Sequence, residues 1–285
     1  MLKTLKNLKC DLVRIVSGWE FLAAVAATVI LCFSVQVYFD YANSKAYSVF
    51  EALFLLEPAV RSASPELVPP MIIKMALTGY SSMVLPITAS FPFVLSFIAE
   101  RGSGNMVFTI SRTSRGSYYV SKFVSAILGG GLCTLLGVVI FGICAYILFP
   151  YSCDFELIEW AFPNGIVIGI VKKLLSAFIY GMTSVLPAFF ICSFCRNPYI
   201  SLCFPFMLKF ITEAVLGKIQ SNAWAAQDYA VSDLIAPLFP NAASQLVDLE
   251  IGKTFWQTIA VTVILAAICF AGFAIIMENR TDRGR

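Results

Sequence analysis

Residues 123–149 read FVSAILGGGLCTLLGVVIFGICAYILF, a run without a charged side chain. A helix needs about 20 mainly apolar residues to cross the hydrocarbon core of a bilayer, and this run exceeds that length. Working outward, the sequence contains further apolar runs of similar length. The six predicted spans are Phe21–Tyr38, Met75–Ile98, Phe123–Phe149, Leu174–Phe194, Tyr199–Leu216 and Thr258–Met277. Barrel strands are about ten residues long with alternating polarity, so we predict an all-α integral membrane protein.

The composition of the whole chain agrees with this fold class. Of 285 residues, 59% are hydrophobic and 13% are charged, whereas soluble domains carry about 25% charged residues. These values exclude a soluble globular enzyme. The absence of histidine excludes His-dependent triads, zinc sites with His ligands and imidazole proton shuttles. The nine cysteines lie mostly in apolar runs, so we expect neither a disulfide framework nor a metal site.

The distribution of charge predicts the orientation. Six spans place both termini on one side, which carries twelve of the twenty Lys and Arg residues, against seven on the other side. Because Lys and Arg mark cytoplasmic loops, we predict a plasma-membrane protein with both termini in the cytoplasm. The first apolar run is span-length and has no clear cleavage site, so we interpret it as a retained span rather than a signal peptide.

No loop reaches the roughly 50 residues of a separate domain, so residues 1–285 are predicted to form a single transmembrane domain. The predicted outer loops are Phe39–Lys74, Pro150–Lys173 and Gly217–Gln257. The last contains a short apolar stretch, Val231–Phe239, next to Pro240. This stretch is too short to span a bilayer but could re-enter its edge if it packs against protein.

Residues 1–20 have the periodicity of an amphipathic helix. One face is apolar and contains Leu2, Leu5, Leu8, Leu12, Ile15, Val16 and Trp19. The other face is polar and contains Lys3, Lys6, Asn7, Asp11 and Arg14. This pattern predicts a helix in the cytoplasmic interface, with its basic residues toward anionic lipid head groups. It would serve as a juxtamembrane anchor, or as a surface that also contacts a cytoplasmic partner.

Between the second and third spans, residues 97–115 read FIAERGSGNMVFTISRTSR. The glycines after Glu100-Arg101 allow the chain to turn. Apolar residues then recur at helical spacing, namely Met106, Val107, Phe108 and Ile110. We predict a short helix across the cytoplasmic face within the loop 99–122. Its apolar middle could insert into a groove on a soluble partner.

This loop resembles that of a known family. Permeases of ATP-binding-cassette (ABC) exporters of the second type carry a Glu-Arg-Glu-x-Gly motif after their second span. A short coupling helix, a Ser-Arg pair and a Lys that opens the third span follow. The residues similar to this pattern in order and spacing are Glu100, Arg101, Gly104, Ser114, Arg115 and Lys122. The chain departs from the pattern at Gly102, where the family has a second acid, and it has no proline before Ser114.

The resemblance implies an exporter built from two permease chains, as a homodimer or a heterodimer, and two copies of an ABC ATPase subunit. This chain has no G-x-x-x-x-G-K-[ST] phosphate loop, so ATP and Mg²⁺ would bind in the partner ATPase and the chain itself would not be an enzyme. ATP would drive alternating access that moves a peptide or an amphipathic or lipophilic substrate out of the cytoplasm. The residues implied to couple to the ATPase are Glu100, Arg101, Gly104, Met106, Phe108, Ile110, Arg112, Ser114, Arg115 and Lys122. On charge alone, the Arg and Lys residues of this loop would be only cytoplasmic anchors.

Lys209 and Glu213 lie one helical turn apart inside the fifth predicted span. Charges within a membrane usually face protein or water, and this spacing permits mutual pairing. The pair is interpreted either as a gate or substrate contact between permease chains, or as a structural ion pair near the outer end.

Other function classes remain for comparison. An intramembrane protease or transferase finds little support, because there is no histidine, no Gly-x-Gly-Asp motif and no paired intramembrane aspartate. A non-transporting sensor, immunity or accessory module could bind a ligand through its outer loops. The acidic excess of those loops favours a cationic or amphipathic substrate such as a peptide. The expected partners are the ATPase, a second permease chain and membrane lipids, and no nucleic acid.

Overall fold

The computed structural model describes residues 2–41, 44–150, 161–249 and 252–282. Much of the second predicted outer loop lies outside the described residues, as do Glu250 and the last three residues of the chain.

The described part of the chain is almost entirely helical. Its helices are, in chain order, α1 (Leu2–Val16), α2 (Trp19–Phe33), α3 (Val49–Leu55), α4 (Pro58–Ala63), α5 (Pro69–Met75), α6 (Gly79–Gly102), α7 (Asn105–Arg112), α8 (Arg115–Leu148), α9 (Ile166–Ser184), α10 (Leu186–Phe194), α11 (Pro198–Ala225), α12 (Tyr229–Ile235), α13 (Ala242–Gln245) and α14 (Lys253–Asp282). Short 3-10 turns follow at Pro65–Leu67 and Ala236–Leu238. Strands β1 (Gln36–Asp40) and β2 (Lys45–Ser48) form an antiparallel hairpin after α2.

Five helical segments of the described chain are long and apolar enough to cross a membrane. They are Gly79–Gly102, Arg115–Leu148, Ile166–Phe194, Pro198–Ala225 and Lys253–Asn279. A sixth qualifies only if α1 and α2 count together, and these two helices meet at a bend of 58°. Helix α2 alone has 15 residues, which is shorter than the roughly 20 residues that a span needs. The fold is therefore that of a multi-pass helical membrane protein.

The predicted first span, Phe21–Tyr38, is helical only as far as Phe33. Beyond this point the chain enters β1, which pairs with β2, and the rings of Tyr38 and Tyr47 lie 6.2 Å apart across the hairpin. Hydropathy alone does not distinguish a strand from the end of a helix here, because valine and aromatic side chains occur both in apolar helices and in strands.

Helix α8 lies in the middle of the bundle and packs against α1, α2, α6 and α9. Its glycines allow this close packing. A side chain at Gly130 would overlap Val185, and a Cβ at Gly137 would lie 2.5 Å from the Thr28 side chain. Small residues let helices in a membrane approach closely, which is the role that the glycine-rich run in the third predicted span suggests.

The fourth predicted span is made of two helices. Helix α9 ends at Ser184 and α10 begins at Leu186, with Pro187 in its first turn. Because proline has no backbone N–H and its ring clashes with the preceding turn, it interrupts the helix at this point. Pro205 instead lies inside α11, which continues past it.

Both ends of the chain lie at the same end of the bundle. The Thr4 and Ser117 hydroxyl oxygens are 3.0 Å apart, and Arg115 pairs with Glu278 at 3.7 Å. We call this the terminal end. The opposite end, which carries the β-hairpin and helices α3 to α5, is called the distal end.

The third predicted outer loop is shorter than expected, because α11 continues to Ala225. After it the chain folds back over the distal end. The turn at Ala236–Leu238 packs against α14, and α13 packs against α9. Pro237 and Ala243 are buried in these contacts. The depth of this segment in a bilayer stays a prediction.

Candidate functional site

The loop between α6 and α8 forms the predicted short helix at the terminal end. Gly104 has a φ of +73° and lets the chain reverse direction before α7 begins at Asn105. This left-handed conformation costs glycine little and strains other residues. Ser114 accepts a hydrogen bond from the Ser117 backbone N–H at 3.3 Å and caps the start of α8. Helix α7 is thus held between two defined turns.

Helix α7 has an inner and an outer face. Met106 is buried with 8% of its surface exposed, and Ile110 packs beside it against the aromatic core. Val107 and Phe108 are each 67% exposed. We call Val107, Phe108, Ser111 and Arg112 the outer face of α7; all four side chains are exposed. Three apolar residues of α7 are in the predicted site, and only Phe108 lies on the outer face. Val107, which is not in the predicted site, lies there too.

Glu100 is the centre of a buried ion network at the same end. Its side chain is 3% exposed, and it contacts the Lys122 Nζ atom at 2.5 Å and the Arg14 guanidinium at 3.1 Å. The Tyr118 hydroxyl donates a hydrogen bond to it at 3.0 Å. The Lys122 side chain is 6% exposed, so it is not a lipid anchor at the surface. Neither Glu100 nor Lys122 can contact a soluble partner directly in this conformation.

Asp11 completes the network from α1. Its carboxylate accepts hydrogen bonds from Lys122 at 2.7 Å and from the Ser121 hydroxyl at 2.6 Å. Its side chain is 15% exposed. The helical wheel puts Asp11 on the polar face of the N-terminal helix, but in the structure this carboxylate is turned toward the bundle. The reason is that α1 packs along α8, which brings Asp11 next to the buried Lys122.

Arg101 links two spans at the terminal end. It donates hydrogen bonds to the backbone carbonyls of Cys192 and, at 3.3 Å, Cys195. These carbonyls belong to the last turn of α10, where helical C=O groups have no partner within the helix. Cys192 and Cys195 therefore contact Arg101 through their backbone carbonyl oxygens and not through their thiols.

Lys209 and Glu213 come together in α11, with the Nζ and Oε1 atoms 3.4 Å apart. The Lys209 side chain is 4% exposed and also donates to the Ser82 carbonyl at 2.5 Å and to the Tyr180 hydroxyl. The Tyr180 hydroxyl donates to the same carbonyl at 2.6 Å. Ser82 contributes its carbonyl to Lys209, and its hydroxyl donates instead to Gly79, so these contacts do not form a serine–lysine pair.

Two cavities flank Tyr180. The first, at the distal end, has a volume of about 650 Å³ and a lining of mixed polarity that includes Lys74, Lys172 and Lys173. The second has a volume of about 360 Å³ and a mainly apolar lining with Lys209 at its wall. Tyr180 lines both. We call them the distal cavity and the apolar cavity.

Several of these residues were not among the predicted site residues. Arg14 of α1 and Tyr118 of α8 contact Glu100. Asp11 of α1 contacts Lys122 on the other side of the network. The one sequence feature that could have indicated a role for Asp11 is that it is an aspartate among the basic residues of the N-terminal helix.

From the sequence, Lys172 and Lys173 are interpreted as an interface anchor at the outer start of the fourth span, and Lys74 as a charge of the outer side. Nothing in their spacing indicates that they line one cavity.

Neither the protein-family models nor the curated proteins that were compared with this chain match it. Within the described ranges, no three or more Cys, Asp or Glu side chains are placed to hold a metal ion. The candidate site consists of the outer face of α7, the ion network behind it, the distal cavity and the apolar cavity.

Proposed function

We propose that this chain is the membrane-spanning permease subunit of an ATP-driven exporter of the ABC type. The observation that carries the proposal is α7. A short amphipathic helix lies outside the spans, with Val107 and Phe108 exposed, in the loop whose sequence resembles the coupling helix of that family. An apolar helix face at the edge of a soluble compartment suits insertion into a groove on a partner protein.

The packing supplies a path from α7 into the bundle. Met106 belongs to the same buried cluster as Phe93, Phe97 and Phe189. Displacement of α7 by an ATPase would therefore press on α6 and α10. Arg101 and Glu100 join the ends of α1, α6, α8 and α10, so these helices would move together. Movement of this kind is a two-state change that ATP binding to the partner would bias.

The assembly proposed is two permease chains and two ATPase chains in the plasma membrane, with the terminal end in the cytoplasm. In this arrangement α1 and α2 count as one bent span and the chain has six. ATP and Mg²⁺ belong to the ATPase. The transported substrate is a peptide or an amphipathic or lipophilic molecule, and Lys209 with Glu213 lies beside the apolar cavity through which it would pass.

The first test is the identity of the proteins that copurify with the full chain from its native host in mild detergent. A stoichiometric ATPase with a phosphate-binding loop is expected. Phe108→Asp should lower its recovery about tenfold or more, because an unpaired carboxylate in an apolar groove costs over 1.4 kcal/mol. Tyr80→Asp is the matched control, since Tyr80 is a 77% exposed aromatic residue at the distal end. Normal ATPase recovery with Phe108→Asp would refute the role of α7.

Arg101→Gln separates coupling from binding. The outer face of α7 is intact in this variant, so the ATPase should still copurify. The link between α6 and α10 is lost, and ATP hydrolysis should continue with reduced flux in reconstituted vesicles. Normal flux would show that the link has no role in coupling.

A non-transporting ligand-binding module is the second candidate, and the distal cavity is the observation that favours it. This candidate predicts a homomer without an ATPase, and ligand binding without ATP-dependent flux.

A further inference from the structure

Three lysines contribute to the wall of the distal cavity. Its volume is about 650 Å³, and among its described lining residues three lysines stand against one aspartate, Asp248. Asp248 is 72% exposed and pairs with Lys172 at 3.7 Å, and such surface pairs neutralise little of the charge inside. The described cavity wall therefore has an excess of positive charge.

Two long helices add to this charge. Helix α6 has 24 residues and begins at Gly79, and α9 has 19 residues and begins at Ile166. Thr78, Gly79 and Gly165 line the cavity. No side chain caps either helix start, so the first backbone N–H groups of both helices keep their hydrogen-bonding capacity. Helix N-termini carry partial positive charge and bind anions through these groups.

Lys173 is the lysine that is free to bind. Lys74 donates one of its hydrogen bonds to the Ala161 carbonyl at 2.7 Å, and Lys172 faces Asp248. Lys173 is half-buried and, among the described residues, has no hydrogen-bond or ion-pair partner within bonding distance. An unpaired ammonium group in a partly buried wall is costly, and an anionic ligand would satisfy it.

We infer that the distal cavity is a binding site for a phosphate group, held by Lys173, Lys74 and Lys172 together with the starts of α6 and α9. The phosphate would come from an anionic lipid head group or from free phosphate in solution. Tyr180 lines both this cavity and the apolar cavity, so an apolar space lies beside the proposed head-group site. The inference does not depend on the proposed transport function.

The test uses the full chain in detergent micelles. Phosphatidylglycerol and phosphatidylcholine are titrated separately, and bound lipid is counted by native mass spectrometry. One phosphatidylglycerol should bind in preference to phosphatidylcholine. Lys173→Gln should weaken this binding about tenfold, which is typical for loss of one charge-assisted hydrogen bond in a site. Lys173→Arg keeps the charge and should keep most of the binding, so loss of folding and loss of charge are distinguished.

Lys218→Gln is the matched control, because Lys218 is an exposed lysine of α11 that does not line the cavity. It should leave phosphatidylglycerol binding unchanged. The second arm adds inorganic phosphate without lipid. An increase in melting temperature that Lys173→Gln abolishes would identify free phosphate as the source. Equal binding of the two lipids with no effect of phosphate, or equal losses with Lys218→Gln and Lys173→Gln, would overturn the inference.

Discussion

At the terminal end of the bundle, two carboxylates and two cations form one network, whereas at the distal end the described residues that line an open cavity include three lysines and one aspartate. The space beside Asp11 and Lys122 is about 10 Å³, room for one water molecule at most. The distal cavity is about 650 Å³. Charged residues are therefore used in two different ways within one small membrane protein.

The difference between the two ends indicates which of them is suited to bind a charged ligand. Charges that are buried, paired and closely packed leave no potential for a ligand to neutralise, so their effect is on the position of helices. Charges around a cavity with an excess of one sign create a potential that attracts the opposite sign. We therefore expect substitutions at the terminal end to lower stability, and substitutions at the distal end to change binding more than stability.

Lys122→Met should have the largest effect. It removes the cation between Asp11 and Glu100, and it leaves two buried carboxylates with only the partly exposed Arg14 near them. Breaking a buried pair in this way costs about 3–5 kcal/mol. The free energy of unfolding, measured by denaturant titration in micelles, reports the loss. Arg196→Gln, an exposed change at the same end, is the control, and a loss below 1 kcal/mol for Lys122→Met would contradict the comparison.

Lys209→Met should cost less, about 2 kcal/mol, the usual value for hydrogen bonds to a charged group. Both lysines are nearly fully buried, but Glu213 is 17% exposed while Glu100 is 3% exposed. The carboxylate left behind by Lys209→Met can therefore reach water more easily. The same titration measures both variants. A larger loss for Lys209→Met than for Lys122→Met would show that the distal pair is the more tightly coupled one.

The sequence predicted the fold class and the larger part of five spans, because long uncharged runs leave few alternatives to a membrane helix. It predicted α7 as well, from the glycines and the spacing of Met106 and Ile110. It did not predict which face of α7 is exposed, because a helical wheel gives relative positions and not the direction of the bundle. The strand at Gln36–Asp40 was not predicted, because its hydrogen-bonding partner, β2, lies beyond a turn and cannot be identified from the hydropathy of residues 36–40.

The partners of Lys122 were also beyond the sequence. Asp11 is 89 positions before Glu100 in the chain, and only the packing of α1 along α8 brings both carboxylates to Lys122. A helical wheel of residues 1–20 places Asp11 on the polar face with the basic residues, but it does not show which face packs against the bundle. In a membrane protein apolar side chains also face lipid, so Leu5 and Val13 can be exposed while the Asp11 side chain is only 15% exposed. Exposed apolar and buried charged side chains can occur together because the surrounding lipid is itself apolar.

Tyr118→Phe and Tyr180→Phe compare the two ends by removing one hydroxyl from each. Tyr118 donates to Glu100, which keeps Lys122 and Arg14, so we expect a loss of about 1 kcal/mol. Tyr180 contacts both Lys209 and the Ser82 carbonyl beside two cavities. Its loss should be no greater, because water can occupy the vacated position. Thermal unfolding of the two variants side by side tests this, and a clearly larger loss for Tyr180→Phe would mean that water does not enter there.

Arg14→Gln should have the smallest effect, within about 0.5 kcal/mol, although Arg14 contacts the same carboxylate as Lys122. The Arg14 side chain is 56% exposed, so solvent already screens its charge and replaces its hydrogen bonds when it is removed. Lys9→Gln, an exposed change on the same helix, sets the background of the measurement. If Arg14→Gln lowered the free energy of unfolding nearly as much as Lys122→Met, both cations would be needed to neutralise the two carboxylates. The terminal end would then depend on total charge, and not on the buried contacts between Lys122 and its two carboxylates.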